Sequence, residues 1–362
     1  MKYYIFLFLA AIMAFSLIVQ QNRRPDPKVI PVTTAQPETN KIYPVAIIGA
    51  GAAGTMAVKR SVLNNNETLL FAGAIQERRR SRGNWVRTID NVPGLEKYER
   101  AVLELRNEAL ADLVQSPFGS KLYVIEDSVA SIEKESERFK LTDKSGRVYF
   151  AKYVVMATGM MDEQPHIQGS IRPILPFANG QTVAYCAVCD GHRSFGKKTV
   201  VIGHSESAAS IALLLSEKYQ LESMTILTNG KKPEFTPKTL EKINSRNIKI
   251  FDSPILEILG NIEQRQLTGF KLESGGSVDA EMAFVALGIR PNNQLALQLG
   301  AKLDSTGLVV TDTNGESTIP NLFVVGDLRA NSMKQVYTAW QHSVETLQLI
   351  NRRIRENSQQ EK

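Results

Sequence analysis

Short, solid apolar runs recur along this chain, each closed by a glycine or a polar turn, and stretches of helical period lie between them. Residues 45–48 (VAII), 67–72 (ETLLFA), 153–156 (YVVM), 199–202 (TVVI), 224–227 (MTIL), 283–288 (AFVALG) and 322–325 (LFVV) are too short and too uniformly apolar for half-exposed strands. They read as strands buried on both faces, which is the signature of parallel α/β sheets. Helix-period apolar residues follow the first run at 55–60, the fourth through Leu213, Leu214 and Leu215, and the last from 336 to 350. The pattern predicts an α/β protein of nucleotide-binding type. At 362 residues the chain has room for two or three domains.

Two of the strand–turn–helix junctions carry chemistry. After 45–48 comes Gly49-Ala50-Gly51-Ala52-Ala53-Gly54. Glycines there let the chain turn tightly, let the backbone approach a pyrophosphate and let the helix pack on the strand, while the helix N-terminus faces the negative charge. After 199–202 comes Gly203-His204-Ser205-Glu206-Ser207-Ala208, a second turn of the same kind whose middle glycine is a serine. The strand at 67–72 ends at Gly73 and not in the acid that usually holds a ribose hydroxyl. The arginine-dense run 76–82 (QERRRSR) reads as a solvated loop, with phosphate binding or partner docking as the alternative. Gly326-Asp327 closes the last strand and can aim a carboxylate at a ribityl or ribose hydroxyl.

The only two cysteines lie at Cys186-Ala187-Val188-Cys189, followed at once by Asp190 and Gly191. Thiols at this spacing can pass between dithiol and disulfide without moving the fold, and the adjacent carboxyl adds a proton source or sink. Zinc, with His192 as a third ligand, is the alternative, but a structural site normally takes four ligands and no second Cys pair exists. Two nucleotide turns flanking a dithiol imply two cofactors. The formal net charge of +6 is spread over mixed Lys, Arg, Asp and Glu with only 7% aromatic residues, which argues against nucleic-acid binding.

Residues 3–19 (YYIFLFLAAIMAFSLIV) are almost wholly apolar, enough for a helix of about 25 Å against a hydrocarbon core of about 30 Å. An uncleaved anchor is expected at residues 1–22, with a signal segment cleaved near Ser16 as the alternative. Arg23, Arg24 and Lys28 follow the run while only Lys2 precedes it, which places the catalytic side in the cytoplasm. A proline-rich tether at 23–40 follows.

In combination and order these motifs resemble the low-molecular-weight thioredoxin reductases over roughly residues 43–355. The matches are Gly49, Gly51 and Gly54 of the flavin turn, Ala157-Thr158-Gly159, Cys186 to Gly191, Gly326-Asp327, and Lys334-Gln335-Val336 at the family's Arg-Gln-Ala. The resemblance implies two doubly wound Rossmann-like domains, the FAD domain split in sequence around the inserted one. The expected boundaries are 41–160 and 291–356 for the FAD domain, 161–290 for the NAD(P)-type domain carrying the Cys-x-x-Cys pair, and a tail at 357–362.

The resemblance implies that Gly49, Gly51, Gly54, Thr158, Gly159, Gly326, Asp327, Gln335 and Val336 meet FAD. It also implies that Cys189 faces the flavin, that Cys186 exchanges with the partner, and that Asp190 protonates the leaving thiolate. Gly203, Ser205, Ala208, Lys231 and Lys232 stand where the family binds NADPH. The departures lie there: Ser205 replaces a glycine, and Thr228 to Lys232 replace the arginines that grip the 2′-phosphate. Arg82-Gly83-Asn84-Trp85 aligns loosely with the family's Gly-Gly-Gln-Leu.

The expected function is a disulfide reductase passing electrons from NADPH through FAD to Cys186–Cys189 and on to a thioredoxin-like protein or a small disulfide, as a homodimer. Two alternatives stay open: an NADPH-independent relative, linked to ferredoxin or oxidising dithiols with oxygen, and a membrane-tethered FAD-binding redox sensor.

Overall fold

The computed structural model describes residues 32, 34–78 and 81–360. The apolar segment 3–19 and the cations at 23, 24 and 28 lie outside them, and among the described residues no helix is long and apolar enough to cross a membrane.

The first apolar run forms the end of strand β1 (Ile42–Ile48), which feeds helix α1 (Ala52–Leu63) through the glycine turn. Four parallel strands stand in the order β3 (Leu122–Ile125), β2 (Thr68–Phe71), β1, β6 (Val148–Met156). The far edge of β6 is divided. Its first half pairs antiparallel with β5 (Arg138–Asp143), which carries β4 (Val129–Glu135), and its last residues pair parallel with β17 (Leu322–Val324).

Both faces of this sheet are buried, as the solid apolar runs require. Along β1, Tyr43, Ala46 and Ile48 pack in one apolar cluster while Val45 and Ile47 pack in the other. Helices α1, α2 (Ala101–Gln115) and the long C-terminal α6 (Val336–Gln360) supply Val58, Leu110 and Leu347 to that second cluster.

The chain leaves this unit through β7 (Met160–Asp162) and returns through β16 (Ile289–Pro291), and the two pair antiparallel as a narrow two-stranded bridge. Between them lies the inserted unit. Its parallel sheet runs β11 (Lys249–Phe251), β10 (Ser223–Leu227), β9 (Lys198–Ile202), β15 (Met282–Val285), β8 (Val183–Ala184). An antiparallel sheet of β12 (Ile255–Asn261), β13 (Gln266–Leu272) and β14 (Ser277–Asp279) covers one face. Helix α4 (Glu206–Lys218) and helix α5 (Pro237–Ser245) lie on the other. The short helix α3 (Ala187–Asp190) joins β8 to β9 and carries the second cysteine.

Register gathers each unit's turns at one sheet edge. Ile48 stands opposite both Phe71 and Met156, and Met156 opposite Val324, so Gly49, Gly73, Ala157 to Gly159 and Gly326 come out together. In the inserted unit Ile202 stands opposite Leu227 and Val285, bringing Gly203, Thr228 and Ala286 together.

Candidate active site

Close packing dictates the first turn. Gly49 has φ +104°, and a Cβ there would lie 2.5 Å from the Ala157 carbonyl oxygen, so only glycine fits. A Cβ on Gly54 would run into the Gly49 carbonyl. Gly51 differs, because a Cβ on it would meet nothing within 4 Å and would project into open space in front of the helix. The protein's own packing does not demand glycine at 51, whereas a pyrophosphate approaching the backbone does. The residues present therefore fit a dinucleotide here. Gly326, at φ +71°, lets β17 pass close to α1, where its Cβ would be 2.8 Å from that of Ala53. Thr158 donates its hydroxyl to the Asn292 carbonyl at 2.7 Å, and Asn292 donates back to the Thr158 carbonyl at 2.8 Å, so this Ala-Thr-Gly segment is tied to the returning strand.

Asp327 stands at the same edge. Burial pushes its carboxyl above the ordinary range, against the pull of Arg82 and Lys334. Arg82, read from sequence as part of a solvated loop, is instead mostly buried and bridges two carboxylates. Its Nε donates to Asp162 at 2.8 Å and its Nη1 to Asp327 at 3.3 Å. The reason is charge: two largely buried aspartates converge, Asp162 at the end of β7 and Asp327 in the turn after β17, and a planar guanidinium can serve both. Residues 79 and 80 of that run lie outside the described residues.

Cys186 and Cys189 form a disulfide, so neither sulfur is a metal thiolate. Cys186 caps helix α3, and its Sγ accepts the Cys189 amide at 3.1 Å. Across the junction between units, Gln335 of the first unit donates its side-chain amide to Cys189 Sγ at 3.1 Å and reaches Cys186 Sγ at 3.8 Å. Asn91 holds the Gln335 carbonyl oxygen at 2.9 Å, which fixes the amide's orientation. Gln335 is thus placed on the disulfide, and Val336 next to it begins helix α6. Burial pushes the Asp190 carboxyl up, and Arg193 and His192 pull against it. Tyr185, next to the first cysteine, donates its hydroxyl to Gln164 at 2.5 Å, and burial raises its pKa.

The second turn keeps the close packing of its first glycine, where a Cβ would lie 2.5 Å from the Ala286 carbonyl and 2.7 Å from the Cβ of Ala208. Its mouth is different. Ser205 pairs as an isolated bridge with Glu234, and Glu234 N–H donates to the His204 carbonyl at 2.8 Å. Glu206, in the first turn of α4, accepts Thr236 N–H at 3.2 Å and Thr236 Oγ1–H at 3.0 Å, and also the Thr239 hydroxyl. Segment 234–239 is therefore sewn along the helix N-terminus, with a carboxylate where a phosphate would come. Lys231 and Lys232 are exposed on the same loop, and the hydrogen bond from the Thr228 hydroxyl to the Lys231 carbonyl folds it back. The first turn fits its cofactor; the second fits a pyrophosphate less well at Ser205 and Glu206.

Two Rossmann-type units, one of which carries a Cys-x-x-Cys disulfide that meets Gln335 of the other, define a dinucleotide-dependent dithiol–disulfide oxidoreductase. The comparisons agree. The model of the pyridine nucleotide-disulphide oxidoreductase family matches residues 43–343, and the chain belongs to that family. It is 28% identical over 314 residues to a thioredoxin reductase of Listeria monocytogenes, covering 83% of this chain and 90% of that one. A thioredoxin reductase of Bacillus subtilis is 27% identical over 335 residues, covering 85% and 96%. The crystal structure of thioredoxin reductase from Streptococcus pyogenes superposes with a TM-score of 0.74 at 22% identity, covering 88% of this chain and 100% of that one, which speaks for the fold. The chain is an oxidoreductase of the low-molecular-weight thioredoxin reductase type, and this membership implies FAD and a pyridine nucleotide.

Proposed function

We propose that this protein is a disulfide reductase that draws electrons from NADPH and delivers them through the Cys186–Cys189 couple to a thioredoxin-like protein. One observation carries the reading. The disulfide sits at the junction of the two units, with Gln335 of the FAD unit bonded to the sulfur of Cys189. Bound FAD supplies the two-electron carrier between donor and disulfide. Gly51 and the helix N-terminus would receive its pyrophosphate in the turn that Gly49 and Gly54 shape, and Asp327 would accept from its hydroxyl groups. Gln335 orients Cys189 toward the FAD unit and leaves Cys186 for exchange with the partner. Asp190, which burial favours in its protonated form, gives its proton to the departing thiolate.

Anaerobic titration with NADPH, watching the flavin band and then the free thiols, tests the proposal. Bleaching followed by two thiols per chain, lost again on adding oxidised thioredoxin, supports it. Full partner reduction by the Cys186→Ser, Cys189→Ser double variant refutes it.

A second reading rests on the carboxylate of Glu206 and the side chain of Ser205 at the second turn. These favour a donor other than NADPH, with the same FAD and disulfide; reduction of the flavin by light but not by NADPH selects it. We also propose that the protein works as a homodimer, tethered through residues 3–19 with its catalytic units in the cytoplasm. The cations at 23, 24 and 28 support the topology, and protection of the catalytic units from protease added to intact cells tests it.

A further inference from the structure

Arg193 belongs to the inserted unit but divides its charge between two carboxylates on opposite sides of the junction. Its Nη2 donates to Thr88 at 2.8 Å and forms an ion pair with Asp90, both on the FAD unit. Its buried Nε has no hydrogen-bond partner among the described residues and lies 3.5 Å from Asp190 Oδ1, inside ion-pair range but without a hydrogen bond. Thr88 in turn donates to Gln181 at 2.8 Å, and Gln181 donates to the Thr88 carbonyl at 3.1 Å. The guanidinium is therefore held on the Asp90 side by a small network that crosses the junction. His192 also faces Asp90, at 3.5 Å. The charged groups acting on Asp190 are Arg193, His192, Asp90 and Arg82.

We propose that Arg193, shared between Asp90 and Asp190, is a positioning residue that sets how firmly Asp190 holds its proton while the two units are docked. The inference rests on the reading of Asp190 as the acid that protonates the leaving thiolate. The physical basis is competition. Burial raises Asp190, and a guanidinium wholly committed to it would undo much of that rise. Asp90 prevents this by drawing Arg193 toward itself and by adding its own negative charge nearby; although burial pushes Asp90 up, Arg193 holds it below the ordinary carboxylate range. An aspartate on one unit thus keeps the acid on the other unit protonated. The setting exists only in the docked arrangement, because Asp90 and Arg193 lie on different units.

The test uses the FAD-loaded full chain and a neutral phosphine, tris(hydroxypropyl)phosphine, so that no nicotinamide enters. The phosphorus attacks one sulfur, the S–S bond breaks, and the other sulfur leaves as a thiolate that takes the Asp190 proton. Water then cleaves the P–S bond to give the phosphine oxide and the second thiol, so phosphorus is oxidised and both sulfurs are reduced. The rate of thiol appearance, divided by the concentration of unprotonated phosphine, should fall as pH rises through the pKa of Asp190.

Asp190→Asn should abolish that limb. Asp90→Asn should move it to lower pH and Arg193→Gln to higher pH, each by about half a unit to one unit, and Arg193→Lys should return it close to the wild-type position. His192→Gln separates the imidazole's own titration from the limb. Shifts in opposite directions are the mark of charge sharing, because a loss of structure would move both variants the same way. Shifts of one sign, or none, overturn the inference and leave Asp190 as the acid. A limb that survives Asp190→Asn overturns the reading of Asp190 and the inference together.

Discussion

Gly49 and Gly51 lie two residues apart in one turn, yet substitution should affect them through different states of the protein. Gly49→Ala forces a Cβ onto a residue at φ +104° and puts it 2.5 Å from the Ala157 carbonyl oxygen. Backbone strain of that kind costs about 2–3 kcal/mol, or roughly 3–4 °C of melting temperature for a chain of this size. Gly51 has φ −80°, which alanine adopts freely, and its Cβ would touch nothing within 4 Å. Gly51→Ala should leave the apoprotein as stable as the wild type, or up to ~1 kcal/mol more stable because the unfolded chain loses freedom. Its methyl group would instead stand in the space that the pyrophosphate needs, weakening FAD binding about 10-fold or more. Thermal unfolding of the two apoproteins, followed by titration with FAD, separates the effects. Wild-type FAD affinity in Gly51→Ala, or a Gly49→Ala apoprotein as stable as the wild type, would refute the assignment of this turn.

Arg82→Ala leaves Asp162 and Asp327 facing each other with no guanidinium between them; it should destabilise the protein by about 2–4 kcal/mol in denaturant unfolding and weaken retention of FAD, and Arg82→Lys should recover only part of either loss. Ser205→Gly should raise the rate of flavin reduction by NADPH, and Ser205→Gly with Glu206→Gln should raise it further; an unchanged rate in stopped flow would show that this turn does not cradle a nucleotide. His342 is buried on α6, and burial together with nearby Arg329 lowers its pKa to about 4. The folded state therefore resists protonation that the unfolded chain accepts near pH 6.5, so its contribution is complete above that pH and is lost as pH falls toward about 4. The loss should reach up to ~3 kcal/mol, and His342→Gln should flatten unfolding stability over that window.

What sequence revealed and what it hid follow from the range of the interactions. The turn at Gly49 to Gly54 was legible because a backbone requirement, a positive φ or a close approach, leaves its mark on the residue itself. The seven apolar runs were legible because a parallel strand is buried on both faces and can hold little else. The cysteine pair needed only its spacing. Arg82 was misread as solvated because its partners lie 80 and 245 positions away, and nothing local tells a buried arginine from an exposed one. Arg193 and Asp90, 103 apart, were hidden in the same way. At the second turn sequence flagged Ser205, but the closure by Glu206 on Thr236 and Thr239 depended on where a loop some 30 residues away would fold. Gln335 was expected beside the flavin; that its amide also reaches the disulfide follows from the seating of the inserted unit, which no single segment encodes.

Anaerobic dithionite titration of the FAD-loaded protein, with thiols counted at each step, decides whether FAD and the Cys186–Cys189 disulfide form one electron path. The wild type should take up two electrons beyond those the flavin itself accepts and gain two free thiols per chain. The Cys186→Ser, Cys189→Ser variant should stop when its flavin is reduced. A wild type that also stops there, with its disulfide intact, would show that flavin and disulfide do not share electrons.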